Sequence, residues 1–298
     1  MSDRSFATHN GAFHADEVTA CALLLLHDLI DRDKILRTRD PKAIQSSAFV
    51  CDVGGVYCTK RQRFDHHQED YKGKMSSAGM VLKFLKEKKY LSPALYRRFY
   101  NGLVREVDAI DNGRPLHPNS QATFSSVIAH FVPNANELVT EQTDAAFMQA
   151  VEFALGHLKR IAEKFYFNRK FLDIVRAAMY PPALSCPPLV LSFEGAIPWI
   201  DNFFELKGEC HPAKFVLMPR DKMWKLRGIP PSSHRRMQVR KQMPKSWAGL
   251  SGKELSAASG IPGAVFCHKG LFISIWETKE AALQALQHIL GKDSVHSF

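Results

Sequence analysis

Apolar and polar positions divide the first third of the chain into short strands that alternate with helices. Residues 5–8, 35–38 and 48–53 form apolar runs of strand length, and the last run is apolar enough to be buried on both faces. Residues 16–30 and 77–88 instead repeat their apolar side chains at the three- and four-residue spacing of a helix. This alternation predicts an α/β domain built on a parallel sheet.

The second half of the chain has a different pattern. A long amphipathic helix is predicted from about residue 143, and the proline-rich stretch at 180–188 excludes a regular element and favours a linker. The segments beyond it predict an α+β domain with antiparallel strands and a closing helix at 279–290. The strand candidates are residues 189–193, 214–218, 223–229, 264–267 and 271–276.

These patterns predict three parts of the chain. They are an α/β domain at residues 1–140, a bridging long helix with its linker at 141–185, and a smaller α+β domain at 186–298. A length of 298 residues also favours two domains over a single core. The sequence does not set the oligomeric state, and a homodimer stays open.

Charge and cysteine usage narrow the function classes only a little. A formal charge of +10 favours an acidic partner such as nucleic acid, but a merely basic surface fits equally, and the basic run at 233–245 has the same two interpretations. Six cysteines without a C-x-x-C pair indicate reduced thiols and argue against a disulfide framework or a zinc site. The sequence shows neither a signal core nor a membrane span, so we predict a cytoplasmic protein without membrane association, and leave an organelle address open.

Residues that bind divalent metals cluster in the first 111 positions, near the ends of predicted strands. Because the carboxyl ends of parallel strands meet at one edge of a sheet, we expect these side chains to converge. Imidazoles mixed with carboxylates suit manganese or iron better than calcium, and two such ions can share the work of phosphoryl transfer. Asp52 leaves a buried strand into a Gly-Gly turn, which suits a carboxylate that bridges two ions. The candidate ligands are His9, His14, Asp16, Asp52, His66 and Asp108, with Asp111 as the alternative to Asp108.

Further residues are candidates for contacts with a phosphate. Arg37 and Arg39 follow a predicted strand and are suited to gripping a phosphate, with a structural ion pair to Asp40 or Glu69 as the alternative. Ser76–Ser77 opens a helix, where the hydroxyls either only cap the helix or also hold a phosphate. His67, next to a candidate ligand, is the candidate to hold the phosphate or protonate the leaving oxygen.

The same motifs resemble the MYG family, of the melanocyte proliferating gene one type, within the DHH phosphoesterase superfamily. The Asp-His-His at residues 65–67 is the signature of the superfamily, and residues 259–268 resemble the C-terminal half of the family. The resemblance covers nearly the whole chain. Its other motifs lie at residues 8–17, 38–41, 52–55, 64–68, 76–79 and 107–113.

The resemblance implies a fold, a cofactor and an activity. The fold would be a DHH-type N-terminal domain followed by a substrate-binding α+β domain, and the activity a manganese-dependent 3′–5′ exonuclease acting on RNA or short oligonucleotides. One of its two metal ions would be held by His9, His14 and Asp52. The other would be held by Asp16, Asp52, His66 and Asp108. Asp65 and His67 would be the catalytic pair, with His67 facing the phosphate.

The chain departs from the family pattern at two places. Cys58 replaces an acid, and residues 269–276 replace the glycine-rich ending of the family. The resemblance implies that this ending binds the substrate backbone. The second departure keeps two alternatives open. One is a small-molecule phosphatase or pyrophosphatase, and the other is a non-catalytic RNA-binding protein with a relict metal site.

Overall fold

A computed structural model describes residues 4–116, 119–134 and 139–291. The chain divides into two compact units, Met1–Phe165 and Tyr166–Phe298, each built around a five-stranded mixed sheet. The division falls inside the long helix, whereas the stretch at 180–188 that was expected to be the linker belongs to the second unit. The segment 141–185 is therefore shared between the two units rather than standing apart from them.

The sheet of the first unit has the strand order β2-β1-β3-β5-β4. The neighbours β2, β1, β3 and β5 pair in parallel, which confirms the α/β class. The edge strand β4 runs antiparallel to β5, so the expectation of a purely parallel sheet is wrong at this edge. β4 and β5 have two residues each, too few for a periodic pattern to predict them. The strands are β1 (Phe6–Thr8), β2 (Ile35–Arg37), β3 (Phe49–Cys51), β4 (Tyr57–Cys58) and β5 (Arg63–Phe64).

Seven α-helices begin in the described part of the first unit. The first of them is apolar on nearly all sides, and its residues 15–25 are buried in a core that it shares with the third. A single π-helical segment, Tyr100–Val104, joins the fourth and fifth helices. The helices are α1 (Ala15–Leu26), α2 (Pro41–Ser46), α3 (Ser77–Glu87), α4 (Pro93–Phe99), α5 (Arg105–Asp111), α6 (Phe124–Ala129) and α7 (Thr140–Arg169).

The sheet of the second unit has the order β6-β7-β8-β10-β9. Its pairs are antiparallel as expected, except that β6 runs parallel to β7. The strands are β6 (Val190–Ser192), β7 (Phe215–Arg220), β8 (Met223–Gly228), β9 (Ala264–Cys267) and β10 (Ile273–Trp276), and the helices are α8 (Leu172–Met179), α9 (Ile200–Glu205), α10 (Gly252–Ser259) and α11 (Lys279–Leu290).

Two separate hydrophobic clusters fill the second unit. One joins residues of α8 and α9 to β6 and β7, and the other joins α10 and α11 to strands throughout the sheet. Within the described ranges, the helices include none that combines the length and the apolar character needed to traverse a bilayer. The cytoplasmic location and the homodimer stay predictions from the sequence.

Arg37, at the end of β2, joins distant segments of the first unit. Its side chain is 2% exposed, and its guanidinium donates to Asp144 Oδ1 at 2.8 Å and to the backbone carbonyl of Gly11 at 2.5 Å. The guanidinium also lies over the rings of Phe13 and Phe147, 5.4 and 5.0 Å from their centroids. Arg37 therefore fixes the loop after β1 against the start of α7.

We predict that Arg37→Met lowers the free energy of unfolding by about 2–3 kcal/mol, because it removes two charge-assisted hydrogen bonds and a buried cation–π contact. Arg39→Met is the matched control, since Arg39 is exposed, and it should change stability by less than about 0.5 kcal/mol. Urea unfolding of both variants measures the difference. Equal stability of the two variants would show that Arg37 does not have this anchoring role.

Candidate metal centre

The loop that connects β1 to α1 brings two imidazoles and two carboxylates together. His9 directly follows β1 and is 6% exposed, and His14 is the residue that precedes α1. Asp16 and Glu17 lie in the first turn of α1, and both are fully buried. The amino end of a helix stabilises negative charge, which favours carboxylates at this position. Glu17 Oε1 accepts a hydrogen bond from the His14 backbone N–H at 2.9 Å and so caps the amino end of α1.

Asp52 lies one residue beyond β3, in a backbone conformation that few residues adopt. Its φ is +58°, in the left-handed region that aspartate tolerates better than most side chains. Gly55 follows at φ +64° and donates its N–H to Asp65 Oδ2 at 2.6 Å. The turn after β3 is therefore tied to the residue that follows β5, and the strand-end positions that the sequence singled out are held together.

The Asp52 carboxylate lies between two imidazoles. Its Oδ2 is 3.3 Å from His9 Nε2, and its Oδ1 is 3.4 Å from His66 Nε2. His9 Nε2 also lies 3.2 Å from Glu17 Oε1, and His66 Nε2 lies 2.9 Å from Asp111 Oδ2. Each oxygen of Asp52 thus faces a different set of donors, which is the arrangement expected of a carboxylate that bridges two cations.

Three overlapping groups of side chains could each hold a metal ion. In every group the ligand atoms lie within 4.8 Å of one another, and Asp52 and His14 each belong to two groups. The groups are His9, His14, Glu17 and Asp52; Asp52, His66 and His67; and His14, Asp16 and Asp111.

Buried polar atoms without hydrogen-bond partners support a cation site. Both oxygens of Asp16 and Glu17 Oε2 are buried, and none accepts a hydrogen bond from a described residue, whereas the buried Asp52 Oδ1 and Asp111 Oδ2 have His66 Nε2 as an ion-pair neighbour. Burying an ionised carboxylate without a partner is costly, and buried charges in proteins are paired or bound to metals. Carboxylates and imidazoles that converge in this way fit two divalent cations.

The two buried imidazoles hold protons strongly in this arrangement. Burial lowers the pKa of His9, but the carboxylates of Asp52 and Glu17 outweigh burial and raise it to about 10. Burial likewise lowers the pKa of His66, but Asp111 and Asp52 raise it to about 10. A metal ion that binds these nitrogens must therefore displace protons.

The pKa values of two buried acids, Asp16 and Asp52, shift in opposite directions. Burial, followed by the neighbouring carboxylates of Glu17, Asp52 and Asp111, raises the pKa of Asp16 well above its ordinary value. Burial also raises the pKa of Asp52, but its two imidazole neighbours outweigh burial and lower that pKa below the ordinary value. Asp52 therefore stays ionised more readily than Asp16, as a metal ligand requires.

Asp108 makes contacts within the protein that the sequence did not predict, and its role as a metal ligand stays a prediction. Its Oδ1 accepts hydrogen bonds from Ser76 N–H at 3.0 Å, Ser76 Oγ at 2.9 Å and Gly79 N–H at 3.0 Å. A Cβ at Gly79 would lie 2.3 Å from Asp108 Oδ2, so the helix approaches Asp108 this closely only because residue 79 is glycine. Asp108 thereby joins α5 to the start of α3, while its Oδ2 is buried without a partner among the described residues. Asp111 rather than Asp108 belongs to a group of converging ligand atoms.

Three of the four expected phosphate contacts are used inside the protein. Ser76 Oγ donates to Asp108, Ser77 Oγ donates to the Phe64 carbonyl at 2.8 Å, and both serines are fully buried. Arg37 is enclosed as described above, and its ion pair is with Asp144 rather than with either acid proposed from the sequence. Arg39 is exposed and lines a cavity together with His9, His14 and Asp52, and the phosphate contacts of all four residues stay predictions.

His67, like His14, is an exposed residue of the centre. Its side chain is 63% exposed, and its Nδ1 lies 2.9 Å from Asp65 Oδ1, which also accepts the His67 backbone N–H at 3.0 Å. Because a carboxylate only accepts, Asp65 fixes the ring with its proton on Nδ1 and leaves Nε2 available. His67 lines two cavities of about 460 and 540 Å³, the first shared with Arg39 and the second with Asp111 and Ser125.

Sequence reasoning missed Glu17 as a candidate ligand. Glu17 comes three residues after His14, at the start of an apolar helix, which is the spacing at which an acid reaches back to the residue that caps the helix. That spacing was the available signal, and it would have placed the Glu17 carboxylate beside the two imidazoles of the first loop.

A family model and several known proteins are similar to this chain over nearly its full length. The MYG1 exonuclease family model, described as an uncharacterised protein family (UPF0160), matches residues 5–290. The chain is 49% identical to a MYG1 protein of Chlamydia pneumoniae, over 95% of this chain and 96% of that protein. It is 30% identical to the MYG1 exonuclease of Homo sapiens, over 99% of this chain and 88% of that protein.

A solved structure with a weaker likeness is RecJ from Thermus thermophilus in complex with Mn²⁺. The identity is 16% and the TM-score 0.27, over 96% of this chain and 51% of RecJ, so this chain spans about half of that protein. A likeness this low carries no argument about the site. The family model and the two relatives show that the chain belongs to the MYG1 exonuclease family.

Proposed function

We propose that this protein is a divalent-metal-dependent phosphodiesterase of the DHH type that removes nucleotides from RNA or short oligonucleotides in the 3′–5′ direction. The observation that carries the proposal is the Asp52 carboxylate between two imidazoles, among buried acid oxygens that lack partners. The exonuclease names of the mammalian relatives support the reaction class. RNA as substrate and the 3′–5′ direction come from the family resemblance.

The ligands divide into two sets around the shared Asp52. One set is His9, His14, Glu17 and Asp52, which form a single group of converging atoms. The other set is Asp16, Asp52, His66 and Asp111, with Asp111 in place of Asp108. Two cations bound there, which we expect to be Mn²⁺ because the donors mix nitrogen and oxygen, would activate a water and offset the charge on the phosphate oxygens.

Other side chains position the phosphate and its leaving group. Asp65 accepts from His67 Nδ1 and so holds the ring. In the imidazolium form, Nε2 carries the second ring proton, which it can donate to the leaving oxygen or share with a phosphate oxygen, and the ring keeps its proton on Nδ1. Arg39, beside the cavity that His67 lines, supplies a guanidinium for a second phosphate contact. In this proposal His67 and Arg39 contact the phosphate, whereas the sequence had also offered Arg37, Ser76 and Ser77 for such contacts.

We predict that Asp52→Asn lowers manganese-dependent hydrolysis by about a thousandfold or more, because the bridging charge is lost. The fold should survive, since asparagine tolerates the left-handed backbone at this position. Asp28→Asn is the matched control, because Asp28 is exposed and has a similar φ of +53°. Stepwise shortening of a labelled RNA measures the activity.

Full activity of Asp52→Asn would remove the two-metal mechanism. If the unaltered protein hydrolyses pyrophosphate and leaves RNA intact, the substrate class moves to small phosphoesters. If it hydrolyses neither but binds RNA, the centre is not catalytic.

A second pair of variants separates the two neighbouring acids of α5. We predict that Asp111→Asn weakens Mn²⁺ binding by about a hundredfold or more, because it removes a direct ligand. Asp108→Asn keeps an acceptor for Ser76 and Gly79, so we expect it to change Mn²⁺ affinity less than about tenfold. Calorimetric titration with Mn²⁺ gives both affinities, and the reverse ranking would restore Asp108 as the ligand.

Metal binding should release protons. His9 and His66 have pKa values of about 10 before a metal binds, so both are protonated at about pH 7.5 and must lose their protons to coordinate. We predict release of about two protons per chain and a Mn²⁺ affinity that rises between about pH 6 and 9. Calorimetry in buffers of different ionisation enthalpy measures the number, and binding without proton release would contradict this ligand set.

A further inference from the structure

Most of the basic surplus lies in the second unit. Residues 166–298 contain 18 Lys and Arg against 10 Asp and Glu, and so carry +8 of the chain's formal charge of +10. Within the densest basic run, Arg240 donates to the backbone carbonyls of Gly208, Ala213 and Pro230, and Arg236 pairs with Asp201 at 2.5 Å. Two of the five Lys and Arg side chains in this run thus serve internal contacts, which reduces the basic character that the run offers to a ligand.

The tryptophans near that run are also used internally. Trp247 is fully buried and packs against Trp276, with ring centroids 5.7 Å apart. Trp224 is covered by Lys279, whose Nζ lies 5.0 Å from the ring centroid. The stacking surfaces that the sequence suggested beside the basic run are therefore occupied.

The sheet itself presents a second cationic surface. Strand register pairs Lys225 with Met218 and Ile275, and pairs Arg227 with Val216 and Ile273. Because side chains alternate along a strand, Lys225 and Arg227 lie on the same face as Val216 and Met218, which pack in the cluster with α8 and α9. The same cluster includes Ile229, one residue beyond β8, so it reaches the end of the strand next to Arg227.

Neither of these cations has an acidic partner in the described ranges. Lys225 and Arg227 are half-buried, and neither side chain forms a hydrogen bond or an ion pair with a described residue. Burial, together with Arg220 and Arg227, lowers the pKa of Lys225, and burial together with Arg236 lowers that of Arg227. An anion bound to this face would offset the cost of holding two cations so close together.

Aromatic rings lie next to the two cations. The Arg227 guanidinium is 5.6 Å from the centroid of Phe272, and the Phe272 and His268 rings are 4.4 Å apart. The His268 ring is in turn 6.3 Å from Phe266, which is 38% exposed and pairs in register with Ile275 on this face. Cations beside a row of rings on a sheet suit a chain of phosphates with bases attached.

We propose that this sheet face, defined by Lys225, Arg227, Phe266, His268 and Phe272, binds single-stranded nucleic acid. Lys225 and Arg227 contact successive phosphates, and Phe266 and His268 stack on bases. This proposal rests on the proposed function, because the sheet face would hold the nucleic-acid strand that the metal centre hydrolyses. Of the five residues, only Phe272 belongs to the altered segment 269–276, in which Ser274 and Trp276 are fully buried.

The test measures binding of a fluorescein-labelled single-stranded RNA of about 15 nucleotides by anisotropy, in EDTA so that hydrolysis does not contribute. The variant Lys225→Gln/Arg227→Gln should bind about tenfold or more weakly, and its salt dependence should fall in slope by about 1.4 for two lost phosphate contacts on a single strand. Phe266→Ala, at a partly exposed ring, should also weaken binding about tenfold. Thermal unfolding checks that each variant is folded.

The control Lys170→Gln/Lys253→Gln removes the same charge from two exposed positions of the second unit and should bind RNA nearly as the unaltered protein does. Equal losses in both double variants, or no loss in either, would overturn the proposal. It also fails if the sheet variant loses binding to phosphatidylserine vesicles but keeps RNA binding. Since this assay needs no hydrolysis, an unaltered protein that binds RNA through this face but does not cleave it would refute only the proposed function.

Discussion

The carboxylate of Asp52, shared between two imidazoles, is the contact on which the rest of the centre depends. Around it, Asp16 and Glu17 are fully buried with oxygens that no described residue satisfies, so several negative charges occupy one small volume. Such a cluster is stable only when protons or cations offset its charge. The raised pKa values of His9 and His66 show protons doing this, and divalent ions would replace those protons at the same atoms.

The fold keeps these charged side chains close together through hydrogen bonds of residues that are not themselves proposed as metal ligands. Asp52 directly follows β3 with a left-handed backbone, and its carboxylate lies between His9 and His66. The Gly55 N–H holds Asp65, which in turn holds His67. Asp108 fixes α5 to the start of α3 and so positions Asp111 one turn later. Supporting bonds of this kind orient ligands and account for much of the affinity of a metal site.

Much of the site could be predicted because its residues follow strands that the apolar pattern already revealed. His9, Asp52 and the Asp-His-His run all lie close after β1, β3 and β5. The sequence left Asp108 and Asp111 as alternatives, since residues three apart share one face of a helix. The contacts of Asp108 with Ser76 and Gly79, on which the proposal of Asp111 rests, give no signal in the sequence. Burial of Ser76, Ser77 and Arg37 was equally hidden, because the partner of Arg37 is 107 residues away and hydrophilic side chains give no periodic signal.

The most direct measurement is anomalous diffraction at the manganese edge from a crystal of the protein grown with Mn²⁺. The account predicts two peaks about 3.5–4 Å apart. Asp52 should lie between them, with His9, His14 and Glu17 around one peak and Asp16, His66 and Asp111 around the other. A single peak, or peaks remote from Asp52, would contradict it.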